Sequence, residues 1–522
     1  MNSLSKELSQ DNGELNQLLK EAINYVCESV TVAAPAHEVE KHVFDCVLKL
    51  GHQLLGDFFR AQGDGDIGEQ VLLPDKGYVK RLEKHNRAYH SLLGDFVLER
   101  YVYGIREGQA IVCVPLDTRL QLPEEEYSYP LQELSTLLTT EVSYTTAQDM
   151  LNRMLKLKVT VDSLERVTNH NGEAVPGFRE IQTAPSSDTE GELLVTSADG
   201  KGVPIRHPKD EARIYDQKSK RGPKPDRKRM AVVGAAYTVD PYVRTAEDMV
   251  EALFCEPGEA ANDEKEEKPK RPVPKNKRVV AHLSQGVGEE EIKASTLTFD
   301  WISQQIKERG LAQLHLKEAA PPEPKIHIFL SDGQPSLWAK AEELKKEFPD
   351  RRWIEILDLM HANSYLWEAA AVFYPGDNEE QLIFMKERIL RLLQGKVDVV
   401  ISALRQMATK REIKKSSSKI IDKVCRYFEH NRTRMKYDEY LAMGCPIASG
   451  VIEGACRHFV KDRMERAGMR WSVQGAQAML NMRSVNLNGN MDEFTRYRIE
   501  QQTKKLYSYM STVEAIAWPI AA

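Results

Sequence analysis

Apolar residues recur along this chain with two different periods, and the switches between them mark its elements. Through residues 1–75 they keep a helical spacing, with Leu15, Leu18, Leu19, Ile23 and Val26 on one face. From about Ser91 to Pro115, Val, Ile and Tyr dominate two runs on either side of Arg-Glu-Gly-Gln at 106–109, which predicts a β-hairpin turning there. Helical spacing returns near Leu131. Two short helices are then expected between 143 and 170. Thr145 and Gln148 have capping-box spacing ahead of Met150, Leu151, Met154 and Leu157, and Thr160 can cap a second helix carrying Leu164, Arg166, Val167 and His170. A helix-turn-helix would lay that second helix in a DNA groove. A plain pair of packed helices is the alternative.

Residues 192–360 alternate between strand and helix patterns. The runs ending in the Asp-Gly turn at 199–200, over 227–240, over 277–284, over 325–333 and over 352–361 read as strands. Segments 295–310, 336–348 and 362–373 read as helices. The alternation predicts a mixed α/β sheet covered by helices. The charged, Pro-rich stretch 255–277 breaks it and reads as an exposed insertion between strands. Residues 376–440 are polar and helical, and helical spacing resumes over 449–487, with Pro446 between the two blocks.

Length changes this picture little: 522 residues suggest about three domains at roughly 150 residues each. Charged residues at 29% and hydrophobic residues at 41% are ordinary globular values. No apolar run approaches the roughly 20 residues of a membrane span, and the N-terminus lacks a secretion-signal layout. Seven cysteines without a C-x-x-C pair fit a reducing compartment and supply neither a disulfide framework nor a zinc framework. A cytoplasmic protein is expected. Net charge is only −6, so any affinity for nucleic acid has to come from the distribution of charge. Residues 201–229 hold eleven Lys/Arg against four acids, and residues 405–439 eleven against five. Such blocks suit phosphate backbones, although solvated charged faces explain many of them.

Two acids occupy matching local settings. Asp199 follows the apolar run Leu193, Leu194, Val195, and Asp332 follows Ile326, Ile328, Phe329, Leu330; a glycine comes next in each case. A strand that ends in an Asp-Gly turn holds its carboxylate on rigid backbone at the mouth of a cleft. Most single copies of that turn are structural. A third acid, Glu453, falls in the first turn of a helix that Ser449 can cap, and the helix dipole alone would favour it. Its company is basic: Arg457 and Lys461 follow on one face, then Arg463, Arg466 and Arg470. Three converging carboxylates repel one another unless a cation neutralises them. Two Mg²⁺ ions (or Mn²⁺) held by Asp199, Asp332 and Glu453 would stabilise the attacking and leaving oxygens of a phosphodiester displacement. Paired carboxylates also serve glycosidases, but the surrounding arginines favour phosphate.

These residues resemble bacterial insertion-sequence DDE transposases, most closely the ISKra type. The resemblance runs from about Tyr101 through Pro-Leu-Asp at 115–117, the helical pair at 143–170, ADGKGVPIR, LSDGQPSLW, DLMHANSYLWEAA, and the block from Gly450 to Ser484. The last block is the most specific. The resemblance implies a ribonuclease-H-like core in which Asp199 and Asp332 are the catalytic aspartates and Glu453 the catalytic glutamate. Asp358 and His361 match a C/D-x-x-H signature of relatives with a helical insertion before the glutamate, and the separation of 121 positions from Asp332 to Glu453 leaves room for one. Relatives often carry a cysteine-paired zinc ribbon near 101–113; here Cys113 stands alone.

The expected organisation is then a helical region at 1–90 and a hairpin plus helix-turn-helix-like DNA-binding region at 91–180. A core at 190–375 follows, then a helical insertion at 376–445 and completion of the core at 446–522. Arg457, Lys461, Arg463, Arg466, Arg470, Lys201 and Arg206 are the expected DNA contacts. Trp471 could stack on an unpaired base or simply fill the core. The resemblance implies terminal-repeat and target DNA as partners, a homodimer or higher oligomer on DNA, and a nucleoid-associated location. A DNA-binding protein without catalysis and a stand-alone ribonuclease-H-like nuclease or resolvase are the competing functions.

Overall fold

The computed structural model describes residues 13–514 except 75, 107, 109, 207–227, 255–270, 287–290, 315–325 and 467. Most of the basic stretch 201–229 and of the insertion 255–277 therefore lies outside the described residues. The chain divides into two compact units, one of Met1–Phe178 with Asn490–Ala522 and one of Arg179–Gly489.

In the first unit, helices Gly13–Thr31 and Ala36–Ala61 precede an antiparallel sheet of β1 (Gln70–Leu73), β2 (Gly77–Ser91) and β3 (Gly94–Gly104). The hairpin expected about residues 106–109 does not form a ladder; a different one does, and its first strand, β2, with β1 before it, lies in the 1–90 region expected to be helical. Ser91 pairs with Gly94, so the turn is Leu92-Leu93, and β3 ends at Gly104, ahead of residues 106–109. Gly94 carries a φ of +117°, which supplies the sharp reversal. The second apolar run contributes only a bridge from Cys113 to Tyr103. Asp117 is buried between Arg87 and Arg100, at 2.8 and 2.7 Å, an arrangement that neutralises a charge water cannot reach.

The helical pair forms as Tyr144–Leu155 and Val161–Ile181. Thr160 caps the second helix by accepting from the Ser163 N–H at 3.1 Å. The first cap differs from expectation: Ser143, not Thr145, accepts from the Thr146 N–H, while Gln148 is drawn away to the Val159 carbonyl. Ser143 wins because its backbone is extended, as an N-cap requires, whereas Thr145 already lies inside the helix.

The second unit is built on a five-stranded mixed sheet in the order β6-β5-β4-β7-β8, comprising β4 (Leu193–Pro204), β5 (Lys228–Val239), β6 (Lys275–Leu283), β7 (Ile326–Ser331) and β8 (Arg352–Leu357). β4, β5 and β6 are antiparallel neighbours; β7 and β8 run parallel to β4. Helices pack on the sheet, and β7 is buried along its length, with Ile328, Phe329 and Leu330 fully enclosed beside the buried polar His327 and Ser331. Helix Pro335–Glu347 begins with proline at its first turn and buries Leu337, Trp338, Ala341 and Leu344. The sheet's core continues into helices Leu359–Phe373, Asn378–Leu393, Val397–Lys410 and Lys415–Asn431 through one apolar cluster. No helix among the described residues is long and apolar enough to cross a membrane.

Candidate active site

Strand register lines up three carboxylates. Ser197 of β4 pairs with Leu330 of β7, so Asp199 and Asp332 both lie two residues further on. Ser331 of β7 pairs with Leu357 of β8, so Asp332 and Asp358 both lie one residue further on. The three acids occupy one row across adjacent strands. One expectation changes here. β4 does not end at Asp199 but runs on to Pro204, because β5 still pairs with it, Asp199 opposite Val233. The parallel partner β7 stops, and Asp199 emerges where that side of β4 becomes free.

Each acid is held differently. Asp199 accepts from the Gly200 N–H at 2.6 Å and from the Cys456 thiol. Burial raises its pKa, the charge of Asp332 adds to that, and the Cys456 contact and His361 oppose it. Asp332 opens a turn: its Oδ1 accepts from the Gln334 N–H at 3.0 Å, and Gly333 adopts φ +95°. A methyl on Gly333 would come within 2.9 Å of the Tyr427 ring. The Tyr427 hydroxyl donates to the Asp332 carbonyl at 2.7 Å, from helix Lys415–Asn431.

Asp358 is wholly buried and saturated with donors. Its Oδ1 accepts from the backbone N–H groups of Met360 (3.0 Å) and Ser449 (3.1 Å). Its Oδ2 accepts from the Ser449 hydroxyl and lies 3.2 Å from His361 Nδ1. One carboxylate thus caps helix Leu359–Phe373, orients His361 and fixes the segment that introduces Glu453. Ser449 does not cap its own helix, as the sequence suggested; its hydroxyl is committed to Asp358.

Glu453 sits in the first turn of the short helix Gly450–Ala455 and remains exposed. Partial desolvation raises its pKa, Asp358 and Asp199 add to that, and His361 opposes. His361 is shifted the other way for a base: its hydrogen bond to Asp358 favours the imidazolium, burial resists, and Asp332 and Asp199 reinforce. One candidate ligand atom each from Asp358, His361 and Glu453 lies within 4.8 Å of the others. The tightest cluster is therefore not the expected trio. It joins Glu453 to the two signature residues, and Asp199 and Asp332 act on the cluster through their charge.

The basic residues divide into two groups. Arg457, Lys461, Arg466, Arg470 and Arg206 are exposed, and Lys201 is partly so. Arg463 and Trp471 are corrections: Arg463 is only 1% exposed, its guanidinium stacks 5.0 Å from the Trp471 ring centroid, and the indole N–H donates to the Met464 carbonyl at 3.2 Å. Neither is presented to DNA. A π-turn, Cys456–Lys461, lies between Ala455 and Asp462. Trp471 is also pinned to the end of β4 by backbone bonds to Pro204 and Arg206. Sequence reasoning missed Tyr427, Ser449 and Cys456. Cys456, three residues after Glu453 on one helix, was findable from spacing. Tyr427, 95 residues from its partner, was not.

No known protein family matches the chain, and no curated protein matches it. Among solved structures, the Drosophila P element transposase strand transfer complex is similar at 9% identity and a TM-score of 0.24, over 73% of this chain and 82% of that one. A superposition that loose carries no argument about fold or activity.

Proposed function

We propose that this chain is a DNA transposase that cleaves at the ends of its element and joins them to target DNA, with Asp199, Asp332 and Glu453 as catalytic acids in a ribonuclease-H-like core. The observation that carries the reading is the single row formed by Asp199, Asp332 and Asp358, to which the chain returns Glu453 through the Ser449–Asp358 contact. The mixed sheet and its strand order are compatible with such a core.

The donor set fits a hard divalent cation. Its members are oxygen ligands, and the raised carboxyls of Asp199 and Glu453 mark a site whose negative charge wants neutralising. Two Mg²⁺ or Mn²⁺ ions held by Asp199, Asp332 and Glu453 would supply charge stabilisation for the attacking and leaving oxygens. Asp358 serves that site by position, since both its oxygens already accept hydrogen bonds. The hydrogen bond to Asp358 raises the pKa of His361 and so favours its imidazolium form, which would suit a phosphate oxygen beside the acids. Exposed Arg457, Lys461, Arg466 and Arg470 suit backbone contact.

The test is a cleavage and joining assay on the DNA that borders the element encoding this chain, with Mg²⁺ or Mn²⁺ and with chelator. Asp199→Asn, Asp332→Asn and Glu453→Gln should each fold and each abolish joined product. Metal-dependent joining that survives in any one of them would overturn the assignment. Cleavage without joining would favour a nuclease or resolvase.

A further inference from the structure

The helix that carries Glu453 has a second neighbour besides the acids. A cavity of about 700 Å³ is lined by Val451, Gly454 and Ala455 of that helix, by Tyr237 and Val239 of β5, and by the segments around residues 242, 272 and 446. Its size lies within the roughly 300–1,000 Å³ typical of small-molecule sites. The room is real on the helix side, since a methyl carbon added at Gly454 would meet nothing within 4 Å.

Most of the wall is apolar or aromatic, but three cations line it: Arg244, Arg271 and Lys277. Arg244 spends one nitrogen on the Cys445 carbonyl at 2.6 Å and lies 5.3 Å from the centroid of the Tyr242 ring; its Nε is buried with no hydrogen-bond partner. The positive charge of Arg271 bears on both Arg244 and Tyr237. The cavity's acid, Asp240, pairs outward with Lys275 at 2.7 Å. Among the described residues, no carboxylate is paired with Arg244 or Arg271. A largely buried guanidinium with an orphaned donor, under the charge of a second, exposed one, calls for an anion, and guanidinium forks match phosphate best. The flat walls supplied by the tyrosines and prolines then suit an aromatic ring attached to that phosphate.

We propose that this cavity binds a nucleotide, its phosphate on Arg244, Arg271 and Lys277 and its base against Tyr237 and Tyr242. The nucleotide is either a free mononucleotide or an unpaired nucleotide of bound DNA. Because the Gly450–Ala455 helix forms one wall, occupancy bears directly on the element that carries Glu453. The proposal does not depend on the catalytic assignment.

Equilibrium binding of dAMP, GMP, adenosine, inorganic phosphate and a single-stranded hexanucleotide to the full chain tests it, in chelator so that the acid site holds no cation. The mononucleotide or the hexanucleotide should bind more tightly than either adenosine or phosphate alone. The double variant Arg271→Ala, Lys277→Ala alters exposed positions and should weaken that binding by about tenfold or more, as loss of charge-assisted bonds implies. Gly454→Leu should block it by filling the cavity. Unaltered thermal midpoints without ligand show that the variants fold. Saturable mononucleotide binding assigns the free ligand; binding of the hexanucleotide alone, with the same sensitivity, assigns an unpaired DNA nucleotide. Binding of neither, phosphate binding as tight as the nucleotide's, or binding that survives both the double variant and Gly454→Leu overturns the proposal.

Discussion

At the scale of single residues, the acids are arranged against their own stability. Asp199 and Glu453 have folded-state pKa values raised above the ordinary carboxylate range, so the folded chain retains protons that the unfolded chain releases. The cost is absent well below about pH 4 and grows as pH rises through the folded values. In chelator, Asp199→Asn should therefore unfold at a higher temperature than the native chain near neutral pH, and the gain should shrink toward pH 4. Mg²⁺ should raise the midpoint of the native chain and leave that of Asp199→Asn nearly unmoved. A variant less stable than the native chain at pH 7 would contradict this account. Ser449→Ala removes a donor from a carboxylate that has no water to replace it. A loss of about 1–3 kcal/mol in denaturant unfolding is expected, accompanied by lower activity because the approach to Glu453 loosens.

At the scale of elements, the inserted helices do more than fill a gap. Tyr427 stacks on Tyr365 with ring centroids 3.9 Å apart and donates to the Asp332 carbonyl, so a helix far along the chain sets the turn that presents Asp332, a proposed catalytic acid. Tyr427→Phe should cost about 1 kcal/mol and lower turnover more than substrate affinity. Gly333→Ala combines a left-handed φ with a contact to that ring, and a loss of about 1–3 kcal/mol is expected in unfolding experiments. The strands around Asp332 and Asp358 and the helices of 376–440 were legible because long apolar runs and helical spacing are local signals. The hairpin turn was misplaced because Leu92-Leu93 carries no polar turn signature and only the φ of Gly94 makes it work. Arg463 was misassigned because its stacking on Trp471 leaves no mark in residue spacing. The Asp358 knot was invisible because its partners are brought together by the sheet, not by the sequence.

At the scale of the whole molecule, composition is silent and distribution informative. A chain with a net charge of −6 still presents Arg457, Lys461, Arg466 and Arg470 in the open near the acids. If they contact DNA backbone, Lys461→Ala should weaken binding similarly for all sequences and reduce the slope of log K against log salt by about 0.9. An unchanged slope in a salt titration would remove Lys461 from the interface. The two units also invite separate tests, because the helical pair with its Thr160 cap belongs to one and the row of acids to the other. Deletion of the row's acids should leave sequence-specific binding intact if the first unit reads the ends.

The fastening of Asp358 to Ser449 has an architectural corollary. These residues stand 91 positions apart, yet the chain leaves and rejoins the sheet at one spot, with the Leu359 N–H also bonded to the Ile447 carbonyl at 3.0 Å. Everything between them is an excursion clasped at its base. Shortening or lengthening such a cassette should leave the glutamate in the same place, provided the clasp and one tyrosine survive.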